Sequence, residues 1–420
     1  MGPRASSSHE RNALQTRRAI LDTARELFRR NGYAGTTVHS IAERLQLTDP
    51  AVYYYFGSKQ QLWQDLLEDV VVATLPPQGI QSPAELVDWL VGFFFAYVDH
   101  AEPMAMLFRE QLGGDRASGD YREHVEASYA DAVAEPLARF YGKRAPLLIQ
   151  TMTTMLSGMF WDGILTFGSK FRDVAMEEPF RARVRRAIEL PLGLPRSANH
   201  CEPAWQAPLQ PTAPNVARPV QAPPVRGRTA TRNRILEAAT ELFSINGVDG
   251  TSVRAIAERC GLSDPAVYYY FPSKSALLDA LWDARLEART ERSSGADEGA
   301  TLSLAGIVDA ALDSAAQMDS QLRLLLRQVL AGDQAAQAMR NQSKAQWHDY
   351  LMAYMSTAFE GAEALDRVDG VLATTMGTIL LAQMEHPLDF ASHARSASFH
   401  AETLAIVTTV VHGPEQCELS

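Results

Sequence analysis

A run of three tyrosines, with small and acidic residues before it and a lysine after it, occurs twice in this chain of 420 residues. The octapeptide DPAVYYYF occupies Asp49–Phe56 and again Asp264–Phe271, and Lys59 and Lys274 follow at the same spacing. A phenol hydroxyl can bond a phosphate oxygen, and a lysine ammonium can pair with phosphate as a point charge. This chemistry predicts binding to a phosphate-bearing polymer.

The identity between the two copies extends well beyond the tyrosines. From Thr16 to Leu62, 29 of 47 residues are identical to those found 215 positions later, without a gap. Chance cannot produce such a match, so the chain carries one module twice. Whatever the module binds, the chain can bind it at two places.

The apolar pattern predicts how each module positions these side chains. A first helix with one apolar face and a short second helix are followed by a tight break at 46–48, and Pro50 then stands in the first turn of a third helix. In that helix Val52 and Phe56 lie four positions apart, which directs them to the core and leaves Tyr53 on the open arc. This is the helix-turn-helix arrangement, in which the helix after the turn enters the major groove of DNA.

The rest of the chain predicts helices without strands, so we expect an all-α protein. In the first half, helices are expected near 84–99, 103–110, 121–141, 146–167 and 178–190. In the second half, they are expected near 302–318, 321–330, 335–359, 364–381 and 391–411.

Composition divides the chain between these helices. The segment 191–225 holds nine prolines and little apolar periodicity, which indicates an extended linker. The predicted parts are a disordered N-terminus at 1–15, a helix-turn-helix domain at 16–75, a helical domain at 76–190, the Pro-rich linker at 191–225, a second helix-turn-helix domain at 226–290 and a second helical domain at 291–413.

The charge is unevenly distributed. The net charge is −11, yet residues 1–48 hold 8 arginines against 4 acids, whereas residues 275–420 hold 9 basic residues against 20 acids. Binding to a polyanion depends on the local patch more than on the total charge. The acidic total therefore does not exclude a nucleic-acid partner for the modules.

The sequence carries no signature of an enzyme or of a metal site. The three cysteines, Cys201, Cys260 and Cys417, are far apart, and there is no metal-ligand spacing, Gly-rich phosphate loop or nucleophile motif. No apolar run approaches the roughly 18 residues of a membrane helix, and the N-terminus has no signal-peptide pattern. We expect a cytoplasmic, non-enzymatic protein without a cofactor and without a membrane partner.

Both modules resemble the N-terminal DNA-binding domain of TetR-family transcriptional regulators. The resemblance rests on TTVxxIAER at 36–44 with LTDPAVYYYFxSK at 47–59, and on GTSVRAIA and YYYFPSK within 250–274. It implies two tandem TetR-like units, each with an N-terminal helix-turn-helix three-helix domain followed by a helical ligand-binding and dimerisation domain. The implied DNA contacts are Thr37, His39, Thr48, Asp49, Pro50, Ala51, Tyr53, Tyr54, Tyr55 and Lys59, and Ser252, Arg254, Ser263, Asp264, Pro265, Ala266, Tyr268, Tyr269, Tyr270 and Lys274.

Some of these positions carry more than one interpretation. Asp49 and Asp264 stand where many family members have Lys or Arg, and each is interpreted as a helix cap or as an acceptor from cytosine N4. The clearest difference between the modules is His39 in the first and Arg254 in the second. This difference predicts that the modules prefer different half-sites. The alternative is that both side chains are simply solvated. The third tyrosine of each run, Tyr55 or Tyr270, is as consistent with a place in the core as with a DNA contact.

The first helical domain is dense in aromatic and Met residues. Such density is typical of a helical core and is also compatible with an apolar ligand pocket. For an unknown small apolar effector, the candidate ligand-binding residues are Phe94, Tyr97, Met104, Phe108, Met155, Met159 and Trp161, together with Trp347 and Tyr354 of the second domain.

These features predict a DNA-binding transcriptional regulator, most simply a repressor that a ligand releases. We expect the two halves to pair through their last two helices as an intramolecular pseudo-dimer, which could dimerise further, and to read a double-stranded operator that could be asymmetric. The alternatives are an activator, and a helical ligand-binding or scaffold protein without DNA binding.

Overall fold

The computed structural model describes residues 6–71, 79–112, 133–195, 226–282, 303–386 and 389–414. Within these ranges every regular element is a helix, and no strand occurs. The all-α prediction is confirmed. The helices fall into two successive sets, one before and one after residues 196–225, which lie outside the described ranges.

The first set consists of a module and a helical domain. The module contains α1 (Ser6–Gly35), α2 (Val38–Arg44), α3 (Asp49–Phe56) and α4 (Lys59–Val71). The domain contains α5 (Pro83–Val98), α6 (Ala101–Gln111), α7 (133–141), α8 (Ala145–Phe167), α9 (Phe171–Ala175) and α10 (Glu178–Glu189), with single 3-10 turns at Gly142–Arg144 and Gly168–Lys170.

The second set repeats this order. Its module contains α11 (Arg226–Gly250), α12 (Val253–Cys260), α13 (Asp264–Tyr270) and α14 (274–282). Its domain contains α15 (Leu304–Gln317), α16 (Asp319–Leu330), α17 (Gln334–Met355), α18 (Gly361–Glu385), α19 (Phe390–Ala394) and α20 (Ala397–His412). The tandem arrangement is therefore the one expected from the repeated octapeptide.

The single helix expected near 391–411 is two helices, α19 and α20. Two boundaries also differ from the sequence expectation. Helix α1 already begins at Ser6, so residues 6–15 are helical and not disordered; this stretch has no Gly or Pro and continues directly into the amphipathic part of α1. Residues after α10 still belong to the first domain, because Leu192 is buried and its carbonyl oxygen accepts a hydrogen bond from the Tyr141 hydroxyl at 3.1 Å. The expected linker residues 196–225 and helix residues 121–132 lie outside the described ranges.

Each module packs against its own helical domain. Helix α1 contacts α6, and α11 contacts α16. In the second half this contact includes a charged anchor: the Arg327 guanidinium of α16 donates to the carbonyl oxygens of Ser244 (3.1 Å) and Ile245 (2.7 Å) near the end of α11. A displacement of α16 would therefore be transmitted to the second module.

The two halves meet in a bundle formed by α8 and α10 of the first half and α18 and α20 of the second. Two glycines allow α8 and α18 to cross in backbone contact. A Cβ on Gly158 would lie 1.8 Å from the Ala373 carbonyl oxygen, and a Cβ on Gly377 would lie 1.8 Å from that of Thr154. The two contacts are related by one offset of 219 positions, as in an isologous interface between like subunits.

The same offset relates a second pair of contacts whose chemistry differs. On one side, Arg183 of α10 donates two hydrogen bonds of 2.6 Å to the Asp369 carboxylate of α18. At the equivalent place on the other side, the Gln150 amide of α8 donates to the Glu402 carboxylate of α20. The bundle is therefore symmetric in its backbone crossing and asymmetric in its charges.

Candidate nucleic-acid interface

The two modules make the same turn with different residues. The turn residue is Gln46 in the first module (φ 55°) and Gly261 in the second (φ 65°). In both, the next leucine N–H donates to a carbonyl of the preceding helix at 2.8 Å, from Leu47 to Ala42 and from Leu262 to Ala257. Glycine adopts this left-handed conformation without a Cβ penalty, whereas glutamine does not, so the equal geometry shows that the surrounding packing fixes the turn.

The start of the helix before the turn is capped by a hydroxyl side chain in each module. The Thr37 hydroxyl accepts from the Ser40 N–H at 3.0 Å, and the Ser252 hydroxyl accepts from the Ala255 N–H at 3.1 Å. Both side chains are exposed. These hydroxyls therefore fix the N-termini of α2 and α12 and stay at the surface.

The tyrosine runs of α3 and α13 are presented in the same way. Tyr53 and Tyr54 are 47% and 84% exposed, and Tyr268 and Tyr269 are 50% and 67% exposed. Beneath them, Val52, Phe56, Val267 and Phe271 are buried. Exposed tyrosines over a buried apolar base form a surface whose rings and hydroxyls can contact a groove.

The third tyrosine of each run supports the first two. Tyr55 and Tyr270 are half-buried and pack against the core. Each ring also meets the exposed tyrosine before it edge to face, with centroids 5.3 Å apart for Tyr54 and Tyr55 and 5.4 Å apart for Tyr269 and Tyr270. Such contacts restrict the exposed ring before any ligand binds.

The N-terminal residues of α3 and α13 are open to solvent. Pro50 and Pro265 occupy the first turn and are exposed, and Ala51 and Ala266 are half-buried. Thr48 and Ser263 are the N-cap residues and are exposed, but their hydroxyls make no capping bond within these described helices. The small side chains leave room for a close approach to the helix N-terminus, where backbone N–H groups attract phosphate.

The interpretation of Asp49 as a helix cap is wrong, because Thr48 occupies the N-cap position. The Asp49 carboxylate instead lies 3.1 Å from the Nδ1 of His39, which is on the preceding helix. In the second module Asp264 likewise follows the N-cap, here Ser263.

Arg254 replaces His39 and is held differently. Its Nε donates to Glu258 at 2.9 Å. That hydrogen bond and the charges of Glu258 and Asp264 raise the pKa of Arg254. Each acid of the octapeptide therefore faces a basic residue of the preceding helix, and that basic residue differs between the modules.

The two lysines after the octapeptides bind backbone carbonyls. Lys59 donates to the Thr36 oxygen at 3.0 Å, and Lys274 donates to the Val248 and Thr251 oxygens at 2.9 and 3.2 Å. Both ammonium groups thus fix the loop that precedes α2 or α12. The predicted phosphate contact would come in addition to this positioning role.

The structure shows ion pairs that our reading of the sequence missed. Arg44 contacts Glu26 at 2.7 Å, and Arg259 contacts Glu241 at 2.6 Å. Both pairs join the second helix of a module to its first helix. The repeat could have indicated these pairs, because the acid and the arginine of the first module recur 215 positions later in the second.

Six of the seven candidate ligand residues of the first half, all except Met159, pack together in its core. Phe108 stacks on Trp161 with centroids 4.4 Å apart, Phe94 and Tyr97 pack around Phe160, and Met104 and Met155 are buried. The rings and thioethers pack against one another. Aromatic density in this half therefore corresponds to packing in the described residues.

A cavity of about 620 Å³ lies instead between the halves. Its walls come from α15, α16, α17 and α18 of the second half and from α8 and α10 of the first. Of the nine candidates, Met159 and Trp347 line this cavity, while Tyr354 packs in the core of the second domain.

The cavity also contains buried charges that our reading of the sequence missed. Lys344 Nζ lies 2.5 Å from one oxygen of Asp162, and Arg340 contacts the other. Asp162 is the one charged residue in helix α8, and this was the sequence feature that could have indicated the buried charges.

The described ranges contain no group of three or more metal-ligating side chains. None of the helices in these ranges has the length and apolar character needed to span a membrane.

Comparison with known proteins finds the same family at both modules. Residues 20–66 and 235–281 match the family described as bacterial regulatory proteins, tetR family. The chain is 49% identical over 49 residues to the tetracycline repressor protein class A from transposon 1721 of Escherichia coli, covering 12% of this chain and 23% of that protein. It is 47% identical over 51 residues to the HTH-type transcriptional regulator UidR of Escherichia coli strain K12, covering 12% of this chain and 26% of UidR.

A longer match reaches beyond the size of one module. The chain is 29% identical over 118 residues to the HTH-type transcriptional repressor NicS of Pseudomonas putida, covering 27% of this chain and 56% of NicS. The chain thus spans about a quarter of the length of the first two relatives and about half of NicS.

Proposed function

We propose that this chain, in which the tetR family of bacterial regulatory proteins matches twice, is a transcriptional regulator that reads an operator with two non-identical heads. Each head is one module, residues 6–71 or 226–282. The observation that carries this proposal is the equal presentation of exposed tyrosines on α3 and α13 over the same buried base.

In the proposed mode of binding, α3 and α13 enter successive major grooves. Tyr53 and Tyr54, with Tyr268 and Tyr269, contact phosphates, sugars and thymine methyl groups, and the open helix N-termini bind phosphate. Two heads that read adjacent grooves must lie about 34–36 Å apart, or a multiple of that distance. A change of a few ångströms in their separation would weaken binding.

The proposal also holds that one chain works as a pseudo-dimer. The α8–α18 crossing supports this, because its glycines allow backbone contact between the halves. The charges support it further. The 219-position offset shows which residues would meet if like halves of two chains paired. Two second halves would place Glu402 opposite Asp369, and two first halves would place Arg183 opposite Gln150. The pairing within one chain instead joins Arg183 to Asp369.

A second contact favours the same pairing. Arg186 of the first half lies 2.9 Å from Asp366 of the second, and the offset places Leu147 and Ala405 at the equivalent contact. Either like-with-like pairing would leave Arg186 or Asp366 opposite an apolar residue. Loss of one partner from a largely buried pair costs a few kcal/mol, so the mixed pairing is favoured.

Repression with release by a ligand is the form of regulation that we propose. The cavity between the halves is bounded by helices from both, and α16, one of its walls, is anchored to the second head through Arg327. A ligand that moves α16 would move that head relative to the other. Two of the named relatives, the tetracycline repressor and NicS, are described as repressors, which favours repression over activation.

Fluorescence anisotropy with DNA from upstream of the chain's own gene tests the proposal. Binding should be strong at low salt, should fall steeply as salt rises, and should be lost in the double variant Tyr53→Ala, Tyr268→Ala. Met176→Ala, at an exposed apolar residue of the helical domain, is the matched control and should bind as the wild type does. A wild-type chain with no salt-sensitive binding would instead support a scaffold protein.

A further inference from the structure

The cavity between the two halves has an apolar body and a charged end. Leu322, Leu325, Leu326, Trp347, Met376 and Ile379 supply apolar wall. Its volume of about 620 Å³ is in the range of pockets that enclose small organic ligands. At the end formed by α8, α10 and α17, the wall changes to Asp162, Arg183, Arg340 and Lys344.

We propose that this cavity binds an apolar molecule that carries one carboxylate or similar anionic group, and that Arg340 and Lys344 bind the anionic end. The assignment of the site rests on the cavity itself. Its regulatory consequence rests on the function proposed above.

The charged end holds more cationic than anionic groups. Arg183 is engaged by both oxygens of Asp369, whereas the single carboxylate of Asp162 is shared between Arg340 and Lys344. Among the charged side chains that line the cavity and are not exposed, three cations thus face the two carboxylates of Asp162 and Asp369. Asp313 also lines the cavity, but it is exposed, so solvent screens its charge.

Burial makes this imbalance costly. The Arg340 side chain is only 4% exposed, and its Nε–H finds no acceptor among the described residues. Burial lowers the pKa of Lys344, and Asp162 opposes this only in part. A bound monoanion would supply the missing charge and accept hydrogen bonds from groups that are already dehydrated.

The ions also connect the ligand site to both halves. Asp162 and Arg183 belong to the first half, and Arg340, Lys344 and Asp369 belong to the second. An anion that binds Lys344 competes with Asp162 and weakens this link between α8 and α17. Because α16 packs against α17 and is anchored to the second head, the change can reach a DNA-reading surface.

Isothermal titration calorimetry with matched probes tests the proposed ligand class. The probes are 2-naphthoate against 2-naphthamide, and decanoate against 1-decanol, each pair having a similar shape and differing in charge. The full chain should bind at least one anion about tenfold more tightly than its neutral partner. Equal affinity within both pairs, or no binding of either anion, would overturn the proposal.

Two variants distinguish recognition of charge from general damage to the fold. Lys344→Met removes the excess charge and should weaken anion binding about tenfold, whereas Asp162→Asn removes the competitor and should strengthen it by a similar factor. Binding of the neutral probes should change little in either variant. Lys170→Met, at an exposed lysine outside the cavity, is the control.

The direction of the Asp162→Asn effect is decisive, because a damaged cavity could not bind its ligand more tightly. Weaker anion binding in both variants would overturn the assignment of the anionic end. DNA binding measured on the same samples separates the two proposals. If the anions bind in the predicted order but the operator does not bind, the anion site is supported and the proposed regulatory function is contradicted. If the operator binds but the chain does not discriminate between the probes, the regulatory function is supported and the anion site is contradicted.

Discussion

His39 and Arg254 are the residues at which the two otherwise similar heads differ most in chemistry. Both face the acid that opens the next helix, but His39 contacts Asp49 directly at 3.1 Å, while Arg254 is bonded to Glu258. An arginine that leaves Glu258 can bond both guanine O6 and N7 in the major groove, which a single imidazole does less well. The heads should therefore prefer different half-sites.

Substitution of one residue should transfer this preference. His39→Arg makes the first head similar to the second at this position, and we expect the variant to favour an operator made of two second-head half-sites. The change should be at least about fivefold, in line with roughly 1–3 kcal/mol for a bidentate base contact. Anisotropy with native and symmetrised operators measures it; an unchanged order of affinities would mean that His39 does not read bases.

Residue roles were only partly predictable from the sequence. The burial of Val52 and Phe56 followed from helical spacing, and the exposure of Tyr53 followed with it. The positioning role of Lys59 did not, because its acceptor is the Thr36 backbone oxygen, which has no sequence signature. The assignment of Asp49 as a helix cap was wrong by one position, because the N-cap is Thr48 and Asp49 is the first helical residue.

At the scale of elements, the crossing of α8 and α18 is the contact with the least tolerance for added atoms. Gly158→Ala places a Cβ within 1.8 Å of the Ala373 carbonyl oxygen, so the helices must separate. We expect a loss of about 1–3 kcal/mol in the free energy of unfolding, which chemical denaturation can measure.

The same fold offers a matched control for that substitution. Gly92 lies in α5, and a Cβ there would meet nothing within 4 Å. Gly92→Ala should be neutral or stabilising by about 0.5–1 kcal/mol, because alanine favours a helix interior over glycine. If Gly158→Ala were also neutral, the close crossing would not be needed for the stability of the bundle.

The helices themselves were largely predictable, whereas the contacts between the halves were not. Apolar periodicity located α5, α8, α10 and α15–α18 to within a few residues, whereas the single helix expected near 391–411 is two helices, α19 and α20. The cavity could not be located in this way, because it depends on what α8 and α10 leave open against α15–α18. Aromatic density pointed to the first half, where Phe108 and Trp161 fill the space themselves.

At the scale of the whole molecule, we expect the proposed pseudo-dimer to depend on the bundle and not on the covalent connection. A site for a specific protease placed within residues 196–225 allows the chain to be cut. We expect the halves to elute together after cleavage and to keep DNA binding, because the crossing glycines and the Arg183–Asp369 pair hold them.

Asp369→Arg provides the contrast in the cleaved protein. This substitution places a second guanidinium group beside that of Arg183. The halves of the cleaved variant should therefore separate at concentrations at which the cleaved wild type stays paired. Light scattering after gel filtration distinguishes the two states. Separation of the cleaved wild type would show that the covalent connection, not the bundle, pairs the heads.

A footprint of each single-head variant on the operator tests most directly whether one chain reads two different half-sites. Tyr53→Ala should remove hydroxyl-radical protection from one half-site and Tyr268→Ala from the other, while each variant keeps protection of the remaining half. Loss of the same half-site in both variants, or equal loss over both half-sites in each, would contradict a single chain with two non-identical heads.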